Sequence, residues 1–268
     1  MTSTVRRAYA DLSGGQMHYR SAGATSAPVV VLLHQSPSHS VMYETLMTAL
    51  ADRFYLLAPD TPGFGNSDPP SSSDADIPAF AKAMAEFLGV MGIDRCHLFG
   101  HHTGAAIAAE LAATRADLVR SLAMSGPTLL TEAQKLALPD QARYLPPVAD
   151  GSHLLSIWQR IRAKDEGAPL SLVQREVLSA LDCGEAYGAS YLAVTRHDFE
   201  GCLAAIRCPA LVFAGDCDPL YDAVAPTLAR LAQGEGAELS GGERTYVCER
   251  QSEQVASLLG KFFSPGES

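Results

Sequence analysis

The chain has 268 residues, with 20 Lys and Arg against 30 Asp and Glu, for a formal net charge of −10. That length suits one large domain or one domain with an insertion, and a chain this acidic is a poor counter-charge for nucleic acid or an anionic membrane surface. At 47% apolar and 19% charged residues it can fill a sizeable core, which excludes a disordered chain.

No apolar run reaches the roughly 18 residues that a bilayer-spanning helix needs. Arg6 and Arg7 are not followed by an apolar stretch, so no secretory signal is expected. Cys96, Cys183, Cys202, Cys208, Cys217 and Cys248 are scattered, with no C-x-x-C pair. That spacing argues against a zinc site and against a disulfide framework. It points to small buried thiols in a reducing, cytoplasmic compartment.

In chain order, residues 8–12 and 16–21 read as a hairpin turned by Gly14 and Gly15. Residues 29–33 are a continuous aliphatic run, the mark of a strand buried on both faces. Apolar residues at helical spacing follow over 41–50, then a strand over 55–58 that ends at Pro59-Asp60-Thr61-Pro62-Gly63. The stretch 69–74 is rich in Pro and Ser and reads as a surface connection. Ile77, Phe80, Ala81, Met84, Phe87, Leu88 and Met91 make an amphipathic helix, with Asp76 as its N-cap. A strand over 96–99 leads into an Ala-rich helix over 103–113. Strands are expected over 119–124 and 210–214, a weak last one over 237–239, and a closing amphipathic helix built on Val255, Leu258, Leu259 and Phe262.

Strands alternating with helices predict an α/β fold, a mostly parallel sheet with helices on both faces. One block breaks the rhythm. Residues 128–197 show helical patterns only, with one face on Leu154, Leu155, Trp158 and Ile161 and another on Leu172, Val173, Val177, Leu178 and Leu181. This divides the chain into a core of 1–127 and 198–268 and an inserted helical lid, or cap, of 128–197. A lid there would cover the carboxyl edge of the sheet, where open α/β sheets bind ligands.

The residues richest in chemistry are Gly100-His101-His102-Thr103-Gly104, directly after a strand and opening a helix. Their G-x-X-x-G spacing is that of a nucleophile elbow, whose middle residue is exposed at the top of the sheet. Here the middle residue is His102. Together with Leu32-Leu33-His34-Gln35-Ser36-Pro37, the segment 60–68 and Gly215-Asp216-Cys217-Asp218-Pro219, this elbow makes the chain resemble the α/β-hydrolase superfamily over nearly its whole length. It is similar to a subgroup whose elbow reads GHHTG.

The resemblance implies an oxyanion hole from the backbone N–H groups of Gln35 and Thr103, and the family's acid at Asp218. It also implies a serine at position 102 and a general-base histidine near Thr245, and neither is present: the last histidine in the chain is His197. The expectation is therefore a non-standard site. His102 serves as base or nucleophile, oriented by Asp218. His34, Ser36, His153, Trp158, Tyr187 and Tyr191 are taken as substrate-binding residues. His101 is expected to be a satisfied buried imidazole beneath the elbow, and Glu243 a solvated loop charge. No cofactor and no metal is called for. The partner expected is a small, mostly apolar substrate bearing an ester, lactone or activated carbonyl, and a homodimer is compatible with the sequence. Two alternatives stay open: a C–C or C–O lyase, isomerase or decarboxylase on the same fold, and a non-catalytic ligand-binding pseudo-hydrolase.

Overall fold

The computed structural model describes residues 4–70 and 76–264, so most of the 69–74 connection lies outside the described residues. Eight strands form one sheet in the order β1-β2-β4-β3-β5-β6-β7-β8. They are β1 (Arg6–Leu12), β2 (Gly15–Ala22), β3 (Val29–Leu33), β4 (Tyr55–Pro59), β5 (Cys96–His101), β6 (Val119–Ser125), β7 (Ala210–Phe213) and β8 (Gly234–Gly236). β2 pairs antiparallel with both β1 and β4, and every later pairing is parallel. Val30, Val31, Leu32 and Leu33 of β3 are all buried, as a central strand covered on both faces requires.

Small corrections follow from backbone detail. The hairpin turns on Ser13 and Gly14, and Gly15 already begins β2. The last strand is β8, and Leu239 makes only an isolated bridge to Gly215. The composition Gly-Glu-Gly offers no side-chain pattern by which β8 could be recognised. The expected helix over 41–50 is a short 3₁₀ turn followed by α1 (Glu44–Leu50). Helix α2 (Ile77–Val90) starts as expected, with the Asp76 carboxylate accepting from the Ala79 N–H at 2.8 Å.

Helix α3 (Thr103–Thr114) is buried nearly all round, with Ala105, Ala106, Ala108, Ala109 and Ala112 against the sheet and its neighbours. Between β6 and β7 lie α4 (Glu132–Gln141), α5 (Ser152–Lys164), α6 (Leu170–Asp182) and α7 (Glu185–Arg196), with no strand among them. The last three of these helices share their own apolar cluster, built on Ile157, Ile161, Val173, Val177 and Tyr187. The buried face of α5 thus runs through Ile157 and Ile161, whereas Leu154 and Leu155 are 48% and 60% exposed. After α8 (Phe199–Ala205) and β7, the chain closes with α9 (Val224–Leu228), α10 (Val247–Arg250) and α11 (Ser252–Phe263). Among the described residues no helix is long and apolar enough to cross a membrane.

Candidate active site

The site is built at the carboxyl ends of β3, β5 and β7. β5 runs straight into α3 through His102, the only non-glycine residue with positive φ among the described residues, at φ 49° and ψ −113°. Glycines on either side make so tight a turn possible. A Cβ at Gly100 would stand 2.2 Å from the Gly104 carbonyl oxygen, and one at Gly104 would stand 1.9 Å from that of Leu33. A bulky residue held in this region stores strain of about 1–3 kcal/mol, which persists only where the surroundings impose it.

The elbow aims the imidazole at the turn after β7. His102 Nε2 lies 2.7 Å from Asp218 Oδ2, and the Leu220 N–H donates to Asp218 Oδ1 at 2.8 Å. The Asp218 side chain is fully buried and that of His102 is 16% exposed. Burial works against the Asp218 carboxylate, but the adjacent His102 and its hydrogen bond hold its carboxyl below the usual range. With Nε2–H given to Asp218, the lone pair of the ring sits on Nδ1. That nitrogen has no hydrogen-bond partner among the described residues.

Gly126, which follows β6, carries the ring from below. An added Cβ there would meet His102 Cδ2 at 2.2 Å and Nε2 at 2.5 Å, and φ is +61°. Gly126→Ala is expected to push the imidazole off Asp218 and to destabilise the fold by more than about 1 kcal/mol. The check is loss of the downfield imidazole N–H proton resonance of His102, together with a lowered thermal midpoint. Nothing in the motif pattern singles out Gly126, since it lies 24 residues beyond the elbow.

His101 is wholly buried. Its Nε2–H donates to the Thr245 carbonyl at 2.9 Å, and Nδ1 accepts from the Ser125 hydroxyl at 3.1 Å. The ring stacks on that of His102, with centroids 4.2 Å apart. Burial, reinforced by the neighbouring His102, lowers its pKa to about 3, so it stays neutral beneath the elbow. Thr245 occupies the place where the sequence resemblance would put a histidine. Its hydroxyl donates to Gln35 Oε1 at 2.8 Å, which anchors the loop after β3. The backbone N–H groups of Gln35 and Thr103 have no protein acceptor among the described residues.

Two cavities meet at His102. The smaller, about 190 Å³, is lined by Ser36, Thr103, Thr128, Leu130, Leu138 and Val194 among others. The larger, about 540 Å³, is lined by Arg160, Lys164, Cys217, Arg244 and Thr245. Tyr191 and Gln141 line both. Of the residues expected to contact substrate, only Ser36 and Tyr191 border these cavities.

The other four are placed elsewhere. His34 is buried, with Nδ1–H donating to the Gln35 carbonyl at 2.9 Å and Nε2 accepting from the Thr61 N–H at 2.9 Å. Both ring nitrogens are used in shaping the loop. His153 accepts from the Val148 N–H at 3.3 Å and lines a separate cavity with Arg143, Tyr144 and Tyr187. Tyr187 is 2% exposed and belongs to the helical cluster, against which Trp158 packs. Glu243 is buried and paired with Arg250 at 2.9 Å, not solvated. The helical pattern identified these elements but could not tell a face packed on another helix from one bordering a cavity.

A second polar cluster lies on the α3–α8 side. Glu110 Oε2, His197 Nε2 and Cys202 Sγ lie within 4.8 Å of one another, a donor set that zinc accepts. The atoms already satisfy one another, since the carboxylate accepts from His197 Nε2–H at 2.9 Å and from the thiol at 3.0 Å. Burial, then the carboxylate of Glu110, pushes the Cys202 thiol well up. That makes it a hydrogen-bond donor and a poor nucleophile.

A family model described as alpha/beta hydrolase fold matches residues 28–233. The chain is 36% identical over 140 residues to haloalkane dehalogenase 2 of Mycobacterium tuberculosis, covering 52% of this chain and 48% of that protein. It spans about half the length of the curated relatives it matches. Among solved structures, it is similar to Cfl2 from Burkholderia cenocepacia with a TM-score of 0.83, 23% identity and 97% and 96% of the two chains covered. It is also similar to the enol-lactonase from Burkholderia xenovorans LB400, with a TM-score of 0.82, 21% identity and 96% and 99% covered. At these identities the two solved structures share the fold.

Proposed function

The chain belongs to the alpha/beta hydrolase fold family, and from that membership we propose a cofactor-free hydrolase that opens a small ester, lactone or similarly activated carbonyl compound with His102 as general base. The observation that carries this reading is the 2.7 Å hydrogen bond from His102 Nε2 to Asp218, which leaves Nδ1 unpartnered among the described residues, as are the backbone amides of Gln35 and Thr103. The name of one solved structure with the same fold, an enol-lactonase, fits such chemistry, while the dehalogenase relative is named for cleavage of a carbon–halogen bond.

In this reading His102 Nδ1 takes a proton from water, and the hydroxide adds to the carbonyl carbon. The electron pair of the broken π bond moves to the carbonyl oxygen, which accepts from the N–H groups of Gln35 and Thr103 at the positive end of α3. Collapse of the adduct expels the alkoxide, which takes the proton back from the imidazolium. Asp218 stays ionised throughout and steadies the charged ring. No serine is needed, because the attacking oxygen is that of water. Ser36 and Tyr191 border the substrate, and residues 128–197 act as a cap over the core of 1–127 and 198–268.

Purified protein is expected to turn over members of a panel of 4-nitrophenyl esters and lactones well above buffer hydrolysis. A flat response across the whole panel overturns this reading.

A further inference from the structure

We propose that the larger cavity is an anion-binding subsite, so that the substrate of the His102 site carries a carboxylate in addition to its reacting carbonyl. The inference rests on the reading of His102 given above for the reaction, but not for the binding of the anion.

The cavity brings together Arg160 and Lys164 of α5 and Arg244 of the segment after β8, and no carboxylate residue lines it. Three cations gathered at one cavity stand out in a chain of net charge −10. Like charges that line one cavity repel one another, and an anion bound between them relieves that repulsion. Six of the 20 basic residues, Arg20, Arg115, Lys135, Arg175, Arg230 and Arg250, have a carboxylate within 4.0 Å, and Arg160, Lys164 and Arg244 are among those with none among the described residues.

The hydrogen bonds of the three also leave donors free. Arg160 gives one N–H to the Arg143 carbonyl at 2.8 Å, and Arg244 gives one to the Lys164 carbonyl at 3.4 Å. A guanidinium has five N–H donors, so most of the fork on each remains open. Lys164 is held the most firmly. Its Nζ donates to the Tyr191 hydroxyl at 3.2 Å and sits 5.4 Å and 5.7 Å from the ring centroids of Tyr187 and Tyr191. The Tyr191 hydroxyl and the Tyr187 ring fix the position of the ammonium group without neutralising it. Tyr191 also borders the smaller cavity beside His102, so the clamp that orients Lys164 is continuous with the reacting centre. A substrate with its carbonyl at His102 and its carboxylate among Arg160, Lys164 and Arg244 uses both cavities.

Two matched pairs test this. The first is 4-nitrophenyl hydrogen adipate against 4-nitrophenyl hexanoate, equal in chain length and different in charge. Wild type is expected to favour the adipate in kcat/KM by about tenfold or more, as a charge-assisted contact implies. Lys164→Gln and Arg244→Gln are expected to bring the adipate-to-hexanoate ratio of kcat/KM toward one through KM for the adipate, and to match the loss of preference that added salt produces in wild type. The second pair is 4-phenylbutyrate against 4-phenylbutanol, followed by equilibrium dialysis with wild type and with His102→Ala. Binding of the carboxylate alone, lost in Lys164→Gln, supports the subsite even where no ester is turned over, and that result overturns only the hydrolase reading. Esters turned over without regard to charge, or equal binding of acid and alcohol, overturn the subsite and leave the hydrolase reading standing. Absence of both binding and turnover overturns both.

Discussion

His102→Ala is expected to lower turnover of any ester or lactone the protein accepts by about 10²- to 10⁴-fold, the usual contribution of a positioned general base. The loss should appear in kcat, because a base acts in the transition state and not in ground-state binding. Asp218→Asn keeps a side chain of the same shape but removes the charge that faces Nε2 at 2.7 Å, and a large fall in kcat is expected there too. The double variant should be little worse than His102→Ala alone, since the two residues act as one unit. Alanine at position 102 keeps a Cβ at φ 49° and leaves the buried Asp218 carboxylate without its ring partner, so His102→Ala is expected to melt below wild type and its turnover is read where it is still folded. A folded variant that turns over normally would reduce the imidazole to a filler of the elbow, whereas absence of turnover in wild type and variant alike, with a ligand still bound, would assign the fold to a binding protein instead of an enzyme.

Much of this frame is legible in the sequence because its signals are local. The aliphatic run of β3, the glycines around His102 and the Asp76 cap each announce themselves within a few residues. The chain also suggests pairing His102 with Asp218, two positions 116 residues apart, but only the fold supplies their distance. The illegible part is convergence. Arg160 and Lys164 reach their cavity from α5, and Arg244 arrives from the far side of β7, so no spacing rule connects them. Tyr187 and Tyr191 are one helical turn apart on α7, yet only Tyr191 borders His102 while Tyr187 sits in the helical cluster. A side chain at that spacing can serve packing or a cavity equally well, and the choice is made by whatever helix lies opposite. Gly126 shows the same limit from the other direction, because its importance lies in the atoms that a side chain would displace.

The fold is expected to be acid-labile well above the range in which carboxylates titrate. Four of the eight histidines, His34, His39, His97 and His101, have pKa values lowered chiefly by burial, to about 4 for His39 and His97 and about 3 for His101. In the unfolded chain each ring takes up a proton near pH 6.5. Between that pH and the folded values the unfolded state binds more protons, so stability falls as pH falls through the window. Each such histidine costs on the order of 1 kcal/mol per pH unit there, against a total stability of about 5–15 kcal/mol. Asp60 and Asp218 continue the trend lower down. Their carboxyls are depressed, Asp60 by hydrogen bonds with His18 and the Ser40 N–H that outweigh its burial, so their contribution is lost only as pH drops below the ordinary carboxylate value near 3.8. Urea midpoints measured from pH 7.5 to 4.5 should therefore fall steeply below about pH 6.5. His97, whose Nδ1 lies 2.7 Å from the Ser121 hydroxyl, offers the control. His97→Gln removes one titrating ring, so the slope near pH 5 should flatten by one proton's share. A midpoint that stays level down to pH 4.5 would mean that these rings titrate alike in the folded and unfolded chain, and that burial does not hold them neutral.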